Sequence, residues 1–129
     1  MAKFLIVDNE PHIVSALRDL LEGDGHDVDT FTNGHEAVSA SAQRAFDVLL
    51  TDFEMPYVMG DVVVRAARLH QPTACIFMTT SRTASTVVEG ACHVFDKPLD
   101  YELVSRTVAD CLARRGQGRH RCYMKSDHG

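Results

Sequence analysis

The feature that most constrains the fold is a short apolar run, Val48 to Thr51, which ends on the carboxylate Asp52 and is followed by Pro56. Such a run, bounded by turn-forming residues, is typical of a buried strand, although periodicity alone does not exclude a buried helical segment. In an open parallel α/β sheet, ligands bind at the carboxyl ends of the strands. Asp52 would lie at such an end. An isolated aspartate there is more often an ordinary turn residue, so the positions of the other polar residues decide.

Apolar runs alternate with helix-period segments along the chain. The predicted strands are Lys3 to Val7, a short one from Val28 to Phe31, Val48 to Thr51, Cys75 to Met78, and Val94 with Phe95. The predicted helices start at Pro11, at residue 35, near Val63 with Arg65 and Arg68 outward, and near Leu103, with Thr83 to Glu89 as a brief further candidate. Asn33 and Gly34 predict a turn. Five strand–helix units predict a doubly wound parallel sheet, because right-handed crossovers place helices on both faces.

Length and composition favour one globular domain. The 129 residues are enough for a full core, and no apolar stretch is long enough to span a bilayer. No signal-peptide cleavage pattern follows the first strand. The four cysteines, Cys75, Cys92, Cys111 and Cys122, show no paired spacing, so we expect reduced thiols in a cytoplasmic protein.

The net charge of −5 hides an asymmetry between the domain and the end of the chain. Residues 1–113 are strongly acidic, which makes nucleic acid an improbable partner and is compatible with a cation site. Residues 114–129 form a basic segment that is poor in apolar residues, and we expect it to be a disordered tail. Pairing of this tail with an acidic partner, or removal of an effector domain at this point, stays open.

Polar residues fall at the predicted carboxyl ends of four strands. They are Asp8, Asn9 and Glu10 after the first strand, Asp52 after the third, Thr79 after the fourth and Lys97 after the fifth. Taken singly, each has an ordinary structural explanation: a helix cap at residues 8–10, a strand threonine or a surface lysine. Together they place carboxylates, a hydroxyl and an ammonium at one edge of the sheet, which is far more specific than any one of them.

These motifs resemble those of the receiver domains of two-component response regulators over residues 3 to about 113. Residues 4–11 (FLIVDNEP) are similar to the first-strand signature of that family. Residues 49–56 (LLTDFEMP), followed by Gly60, are similar to the phospho-acceptor strand and its loop. The ends of the fourth and fifth strands, at Thr79 and at Lys97 with Pro98, also match.

The resemblance implies a flavodoxin-like sheet with strand order 2-1-3-4-5 and a nucleophilic role for Asp52, which would take a phosphoryl group from a sensor histidine kinase or a histidine phosphotransfer protein. It further implies Mg²⁺ held by Asp8, Asn9, Asp52 and the backbone carbonyl of Glu54. Lys97 and Thr79 would contact the phosphoryl oxygens. The Lys97–Pro98 bond is cis in the family. Such a protein is a signalling phospho-acceptor with self-catalysed transfer and dephosphorylation rather than an enzyme.

Three positions depart from the family pattern. Asn9 replaces an acid that is commonly a metal ligand, which predicts weaker Mg²⁺ binding unless Glu10 compensates. Val94 replaces the usual switch aromatic, and Phe95 should lie on the opposite strand face. The interval between Thr79 and Lys97 is about one helical turn short, which predicts a shortened fourth helix and puts partner binding or homodimerisation through it in question.

Two functions therefore stay open. One is a stand-alone phosphorylation-driven switch that acts on an unknown downstream protein. We expect no membrane among its partners. The other is a receiver-fold interaction module that works without phosphate, for which the three departures are the reason. A flavodoxin-like cofactor binder is disfavoured, because no glycine-rich or hydroxyl-rich phosphate loop follows the first strand.

Overall fold

A computed structural model describes residues 1–81 and 88–118 of the chain. The strands are β1 (Lys3–Val7), β2 (Asp27–Phe31), β3 (Val48–Asp52), β4 (Cys75–Thr80) and β5 (His93–Asp96). The helices in these residues are α1 (Pro11–Gly23), α2 (Gly34–Gln43), α3 (Gly60–His70) and α4 (Tyr101–Gly116). All five predicted strands are present, each within a few residues of its predicted bounds.

The strands form one parallel sheet in the order β2-β1-β3-β4-β5. β3 is completely buried at the centre of the sheet, as its uninterrupted apolar sequence predicts. Asp52 pairs in register with Thr79 of β4, so the ends of these two strands are level. The flavodoxin-like, doubly wound sheet is confirmed.

Each face of the sheet is covered by a separate apolar cluster. One cluster joins alternate strand residues such as Leu49 and Ile76 to the buried sides of α2 and α3. The other joins Leu50 and Phe77 to the buried sides of α1 and α4. The period-two alternation along each strand divides the core in this way. Helices therefore cover both faces of the sheet.

Helix ends follow local capping chemistry, which corrects one prediction. Asn33 and Gly34 do not form a free turn but start α2, because Asn33 Oδ1 accepts a hydrogen bond of 2.9 Å from the Glu36 backbone N–H. The same side chain donates to the Glu36 carboxylate over 2.7 Å. An asparagine with a glutamate three residues later is a capping signal that the sequence contained.

α4 continues past residue 113, where the sequence predicts the start of a basic tail. Ion pairs hold its last turn: Arg114 lies 3.1 Å from Asp110, and Arg115 lies 2.6 Å from Asp47. Two arginines at a helix C-terminus also interact favourably with the helix dipole. Residues 119–129 lie outside the described part of the chain, and so does the prediction of disorder there.

The predicted shortened fourth helix, Thr83 to Glu89, falls mostly on residues 82–87, which the structure does not describe. After it, Val88 and Ala91 are buried in the cluster under α3.

One side-chain prediction was wrong. Arg68 does not point outward from α3 but lies half-buried, where its guanidinium donates to the backbone carbonyls of Pro72, Ala74 and Gly90 over 2.6–3.1 Å. Helical periodicity places charged residues on the solvated side of a helix. It does not predict contacts with loops, and these carbonyls belong to loops. Arg68 thus ties α3 to the segments before β4 and β5.

None of the helices in the described residues combines the length and the apolar character needed to cross a bilayer.

Candidate functional site

The carboxyl ends of β1, β3 and β5 bring two aspartates and one lysine together. Asp8 follows β1, Asp52 ends β3 and Lys97 follows β5. The Lys97 Nζ atom lies 3.1 Å from Asp8 Oδ2 and 3.3 Å from Asp52 Oδ1. Both aspartate side chains are 1% exposed, so the ion pairs are almost entirely removed from water. The predicted convergence of these three residues is therefore observed.

Glu10 is a further member of this cluster. It occupies the N-cap position of α1, but no side-chain hydrogen bond caps that helix. Instead Glu10 Oε2 lies 2.8 Å from Lys97 Nζ, and this hydrogen bond lowers the pKa of Glu10. The Glu10 N–H donates to Asp8 Oδ1 over 2.9 Å, which fixes the Asp8 carboxylate. Asn9, between them, is exposed.

Burial and the nearby Asp8 carboxylate raise the pKa of Asp52 to about 6. The Lys97 ammonium opposes this shift but does not cancel it. Burial on its own lowers the pKa of Lys97, yet its hydrogen bond to Glu10 and the Asp8 and Asp52 carboxylates hold that pKa above its ordinary value. Lys97 is therefore always charged, while the ionised form of Asp52 is costly.

The donor set fits a hard divalent cation. Asp8, Glu10 and Asp52 each offer a carboxylate oxygen, and these atoms all lie within 4.8 Å of one another. Asp8 Oδ2 is buried and faces the Lys97 ammonium at 3.1 Å. Three carboxylates against one ammonium leave an excess of negative charge that an oxygen-preferring cation such as Mg²⁺ would neutralise.

Thr79 lies at the end of β4, level with Asp52 and 2% exposed. Its backbone carbonyl accepts from the Phe53 N–H over 2.9 Å. Its hydroxyl has no hydrogen-bond partner within the part of the chain that the structure describes. A buried hydroxyl without a partner costs stability, and a group bound next to Asp52 could accept its hydrogen bond.

The Glu54 side chain has a role that sequence reasoning missed. Only its backbone carbonyl was predicted to matter, but its carboxylate accepts from the Thr80 hydroxyl and, over 2.8 Å, from the Ser81 N–H. The Glu54 N–H also donates to Asp52 Oδ1 over 3.3 Å. The contact between the Glu54 carboxylate and the Thr80 hydroxyl spans 26 positions and joins the loop after β3 to the end of β4, so no local pattern could have indicated it.

The loop between β3 and α3 is tightly packed against Asp52. A Cβ atom at Gly60 would overlap the Asp52 backbone carbonyl and the Phe53 Cα. Three residues earlier, Tyr57 is fully exposed and has a φ of 67°, which is uncommon for a residue with a side chain. The loop thus holds the end of β3 in one position.

Val94 and Phe95 lie on opposite faces of the sheet, as predicted. Val94 belongs to the cluster under α2 and α3, while Phe95 belongs to the one under α1 and α4. The Phe95 ring packs against Phe77, with 5.9 Å between the ring centroids. Val94 pairs in register with Met78, whereas Phe95 pairs with Thr79, so position 94 itself offers no aromatic ring to rotate with the Thr79 hydroxyl. The Lys97–Pro98 peptide bond is cis.

Two known bacterial proteins resemble this chain in sequence over most of its length. The protein PilH of Pseudomonas aeruginosa is 32% identical over 120 residues, covering 88% of this chain and 99% of that protein. A response regulator receiver protein of Anaeromyxobacter sp. is 33% identical over 91 residues, which are 70% of this chain but only 38% of that relative's length.

Solved structures show the same fold. The CheY-like receiver domain protein of Methanospirillum hungatei superimposes with a TM-score of 0.83 at 19% identity, over 92% of this chain and 98% of that one. The response regulator TrrA of Thermotoga maritima, solved in complex with Mg²⁺ and BeF, gives a TM-score of 0.78 at 27% identity, over 85% of this chain and 98% of that one.

The family description that matches this chain is the response regulator receiver domain, and the match covers residues 4–108. This range contains every residue of the cluster around Asp52. The chain belongs to the response regulator receiver domain family.

Proposed function

We propose that the chain works as a single-domain response regulator, in which Asp52 accepts a phosphoryl group from a histidine kinase or a histidine phosphotransfer protein and thereby changes the binding of a downstream protein. The observation that supports this most is the buried pair of Asp8 and Asp52, with Lys97 Nζ 3.1 and 3.3 Å from their oxygens. The match to PilH over nearly that protein's whole length agrees with action as a single domain.

The proposed step is a transfer from nitrogen to oxygen. An Asp52 carboxylate oxygen attacks the phosphorus of a phosphohistidine, the P–O bond forms as the P–N bond breaks, and the imidazole leaves with the electron pair. The nucleophile must be ionised, and with a pKa of about 6 Asp52 is mostly ionised at neutral pH. Each cycle consumes this carboxylate until hydrolysis restores it, which is why we propose a phospho-acceptor and not an enzyme.

Positive charge near the transferred group is the main catalytic requirement, because phosphoryl transfer depends on positioning and electrostatics. Lys97 is held beside Asp52 and stays protonated. Mg²⁺, when bound, would supply two further positive charges to the phosphoryl oxygens. The ligands we propose for this ion are Asp8, Asp52, the Glu54 carbonyl and either the Asn9 amide or the Glu10 carboxylate.

The change after transfer would begin at Thr79. Its buried hydroxyl, without a partner in the described residues, can donate to a phosphoryl oxygen on the neighbouring Asp52. Thr80 and Ser81 follow directly and are tied to Glu54, so a shift at Thr79 would disturb that contact. We propose that the segment after β4 thereby reports phosphorylation to a downstream protein. We further propose that this signalling takes place in the cytoplasm.

The second candidate is an interaction module that works without phosphate. Val94 favours it, because valine stands where the family pattern has its usual switch aromatic. Under this alternative the cluster of Asp8, Asp52 and Lys97 would serve stability alone.

Intact-protein mass spectrometry separates the two candidates. The protein is incubated with a small-molecule phosphodonor such as acetyl phosphate, with and without Mg²⁺. We expect one added phosphoryl group in wild type with Mg²⁺, and none in Asp52→Asn. Asp47→Asn is the matched control, because Asp47 is paired with Arg115 and lies outside the cluster; it should be modified like wild type. A folded wild type without any adduct over a range of Mg²⁺ concentrations would overturn the proposal.

A further inference from the structure

Two cysteine thiols meet at the amino end of β5, opposite the end that holds Lys97. Cys92 directly precedes β5 and is half-buried, and Cys111 lies on the buried side of α4. The two sulfur atoms are 3.9 Å apart, with the Cys111 thiol directed at the Cys92 sulfur. The function proposed above does not use these residues.

The surroundings of the Cys92 sulfur favour a thiolate. The Arg68 Nη2 atom lies 3.9 Å from it, and the Ile76 backbone N–H donates to it over 3.5 Å. Arg68 is fixed in place by its hydrogen bonds to the carbonyls of Pro72, Ala74 and Gly90. A cationic group and hydrogen-bond donors around a sulfur atom stabilise its anionic form, which is the reactive one.

The geometry also separates the two thiols by access. Cys92 is partly exposed to solvent, whereas Cys111 is 1% exposed. An oxidant therefore meets Cys92 first, and Cys111 is the neighbour that can react with the product. A disulfide needs a sulfur–sulfur distance of about 2.05 Å, so oxidation would draw the two sulfur atoms together from their contact at 3.9 Å. Two thiols that merely fill the core would need neither the charged donor nor this contact.

We propose that Cys92 and Cys111 form a redox site that a hydroperoxide oxidises to a disulfide. The Cys92 thiolate attacks the peroxide, an S–O bond forms, the O–O bond breaks, and the departing hydroxide or alkoxide takes up a proton. The Cys111 thiol then attacks the resulting sulfenic sulfur and loses its proton, the S–S bond forms, and the S–O bond breaks to release water. Two thiols and one hydroperoxide give one disulfide, one water and one alcohol or second water.

The disulfide would link α4 to the segment before β5 across 19 positions of sequence. It would form at the edge of the sheet away from Asp52, so it neither requires nor excludes phosphorylation.

The test uses the full chain. Trypsin releases each of its four cysteines in a different peptide, so the peptides that become linked identify the cysteines involved. Cys75 falls in residues 69–82, Cys92 in 83–106, Cys111 in 107–114 and Cys122 in 122–125. The protein is treated with a few molar equivalents of hydrogen peroxide, alkylated in denaturant, digested and analysed by mass spectrometry. We expect peptides 83–106 and 107–114 to appear linked, with the link lost after reduction by dithiothreitol, while the other two cysteines remain alkylated.

Two variants and one condition complete the test. Cys111→Ser should abolish the link and leave a sulfenic acid at Cys92 that dimedone traps, whereas Cys75→Ser should leave the link unchanged. Adding peroxide to wild type already unfolded in urea should slow formation of the link by about tenfold or more, because the fold holds the thiols together. Should the two cysteines stay alkylated in folded wild type, or link mainly to Cys75 or Cys122, the proposal would be overturned without any need for a variant.

Discussion

Asp52 is the residue at which the proposed function and the stability of the fold conflict. It is a buried carboxylate beside a second carboxylate, Asp8, and the Lys97 ammonium that faces it is shared with Asp8 and Glu10. Such an arrangement disfavours ionisation and raises the pKa of Asp52. A fold selected for stability alone would gain by removing this charge.

Asp52→Asn should therefore stabilise the metal-free protein at neutral pH. Because the pKa of Asp52 is raised from 3.8 to about 6, the folded state binds more protons than the unfolded state between these values, and stability falls as the pH rises through them. We expect the variant to be more stable than wild type by about 3 kcal/mol at neutral pH, because each unit of pKa shift corresponds to about 1.4 kcal/mol. Below pH 3.8 this advantage should disappear.

Urea unfolding of both proteins in a chelator, at neutral and at acidic pH, measures the effect. An advantage of the same size at both pH values would show that the substitution acts through packing and not through the charge of Asp52.

Thr79 and Thr80 are adjacent, buried threonines, and we expect substitution by valine to change stability in opposite directions at the two positions. The Thr79 hydroxyl has no partner in the described residues, whereas the Thr80 hydroxyl donates to Glu54. Valine has nearly the same shape but no hydroxyl. Thr79→Val should stabilise the unphosphorylated protein by about 1 kcal/mol, and Thr80→Val should destabilise it by a similar or larger amount. Thermal unfolding of the two variants checks this, and destabilisation by Thr79→Val would show that its hydroxyl is satisfied in the folded protein.

At the scale of secondary-structure elements, most of the fold could be predicted because strands and helices leave local patterns. The apolar run ending at Asp52 and the alternating segments around it predicted all five strands. Contacts between elements were harder to predict. The burial of Arg68 and the contact of the Glu54 carboxylate with Thr80 depend on loops that meet only in the folded chain.

Most of the candidate site could also be predicted from the sequence. Asp8, Asp52 and Lys97 follow their strands directly, and parallel strands bring their carboxyl ends to one edge, so their meeting follows from topology. Glu10 was placed at the same edge, but its direct contact with Lys97 was not predicted, because a residue at the start of a helix is also explained by capping.

The start of α3 fixes the position of Asp52. Gly60→Ala should destabilise the protein by about 2 kcal/mol or more, because the new methyl group would collide with the backbone at Asp52 and Phe53. It should also reduce phosphorylation of Asp52. Gly23→Ala, at the end of α1, is the control: no atom lies within 4 Å of the new methyl group, and the change should be neutral or stabilising.

Thermal unfolding and phosphodonor assays of both glycine variants test this account of α3. If Gly60→Ala were as stable and as reactive as wild type, the loop after β3 would not be what positions Asp52.

For the whole molecule, cation binding should appear as a gain in stability. A ligand that binds only the folded state stabilises it in proportion to the logarithm of its concentration above the Kd. Mg²⁺ should raise the Tm of wild type, and Asn9→Asp should give a larger rise at the same Mg²⁺ concentration, because it restores an acid beside the cluster. Asp8→Asn should show little Mg²⁺-dependent rise. An unchanged rise in Asn9→Asp would show that Glu10 or water already supplies the missing ligand.

The most direct test of the account identifies the residue that is phosphorylated. After treatment with a phosphodonor and Mg²⁺, borohydride reduces an aspartyl phosphate to homoserine, which marks its position in the peptide covering residues 45–65. That peptide also contains Asp47, Glu54 and Asp61, so Asp52 is compared with three other acids in one fragmentation spectrum. We predict homoserine at residue 52 alone. Homoserine at another acid, or none in a protein that is folded and exposed to Mg²⁺, would contradict the assignment of Asp52 as the phospho-acceptor.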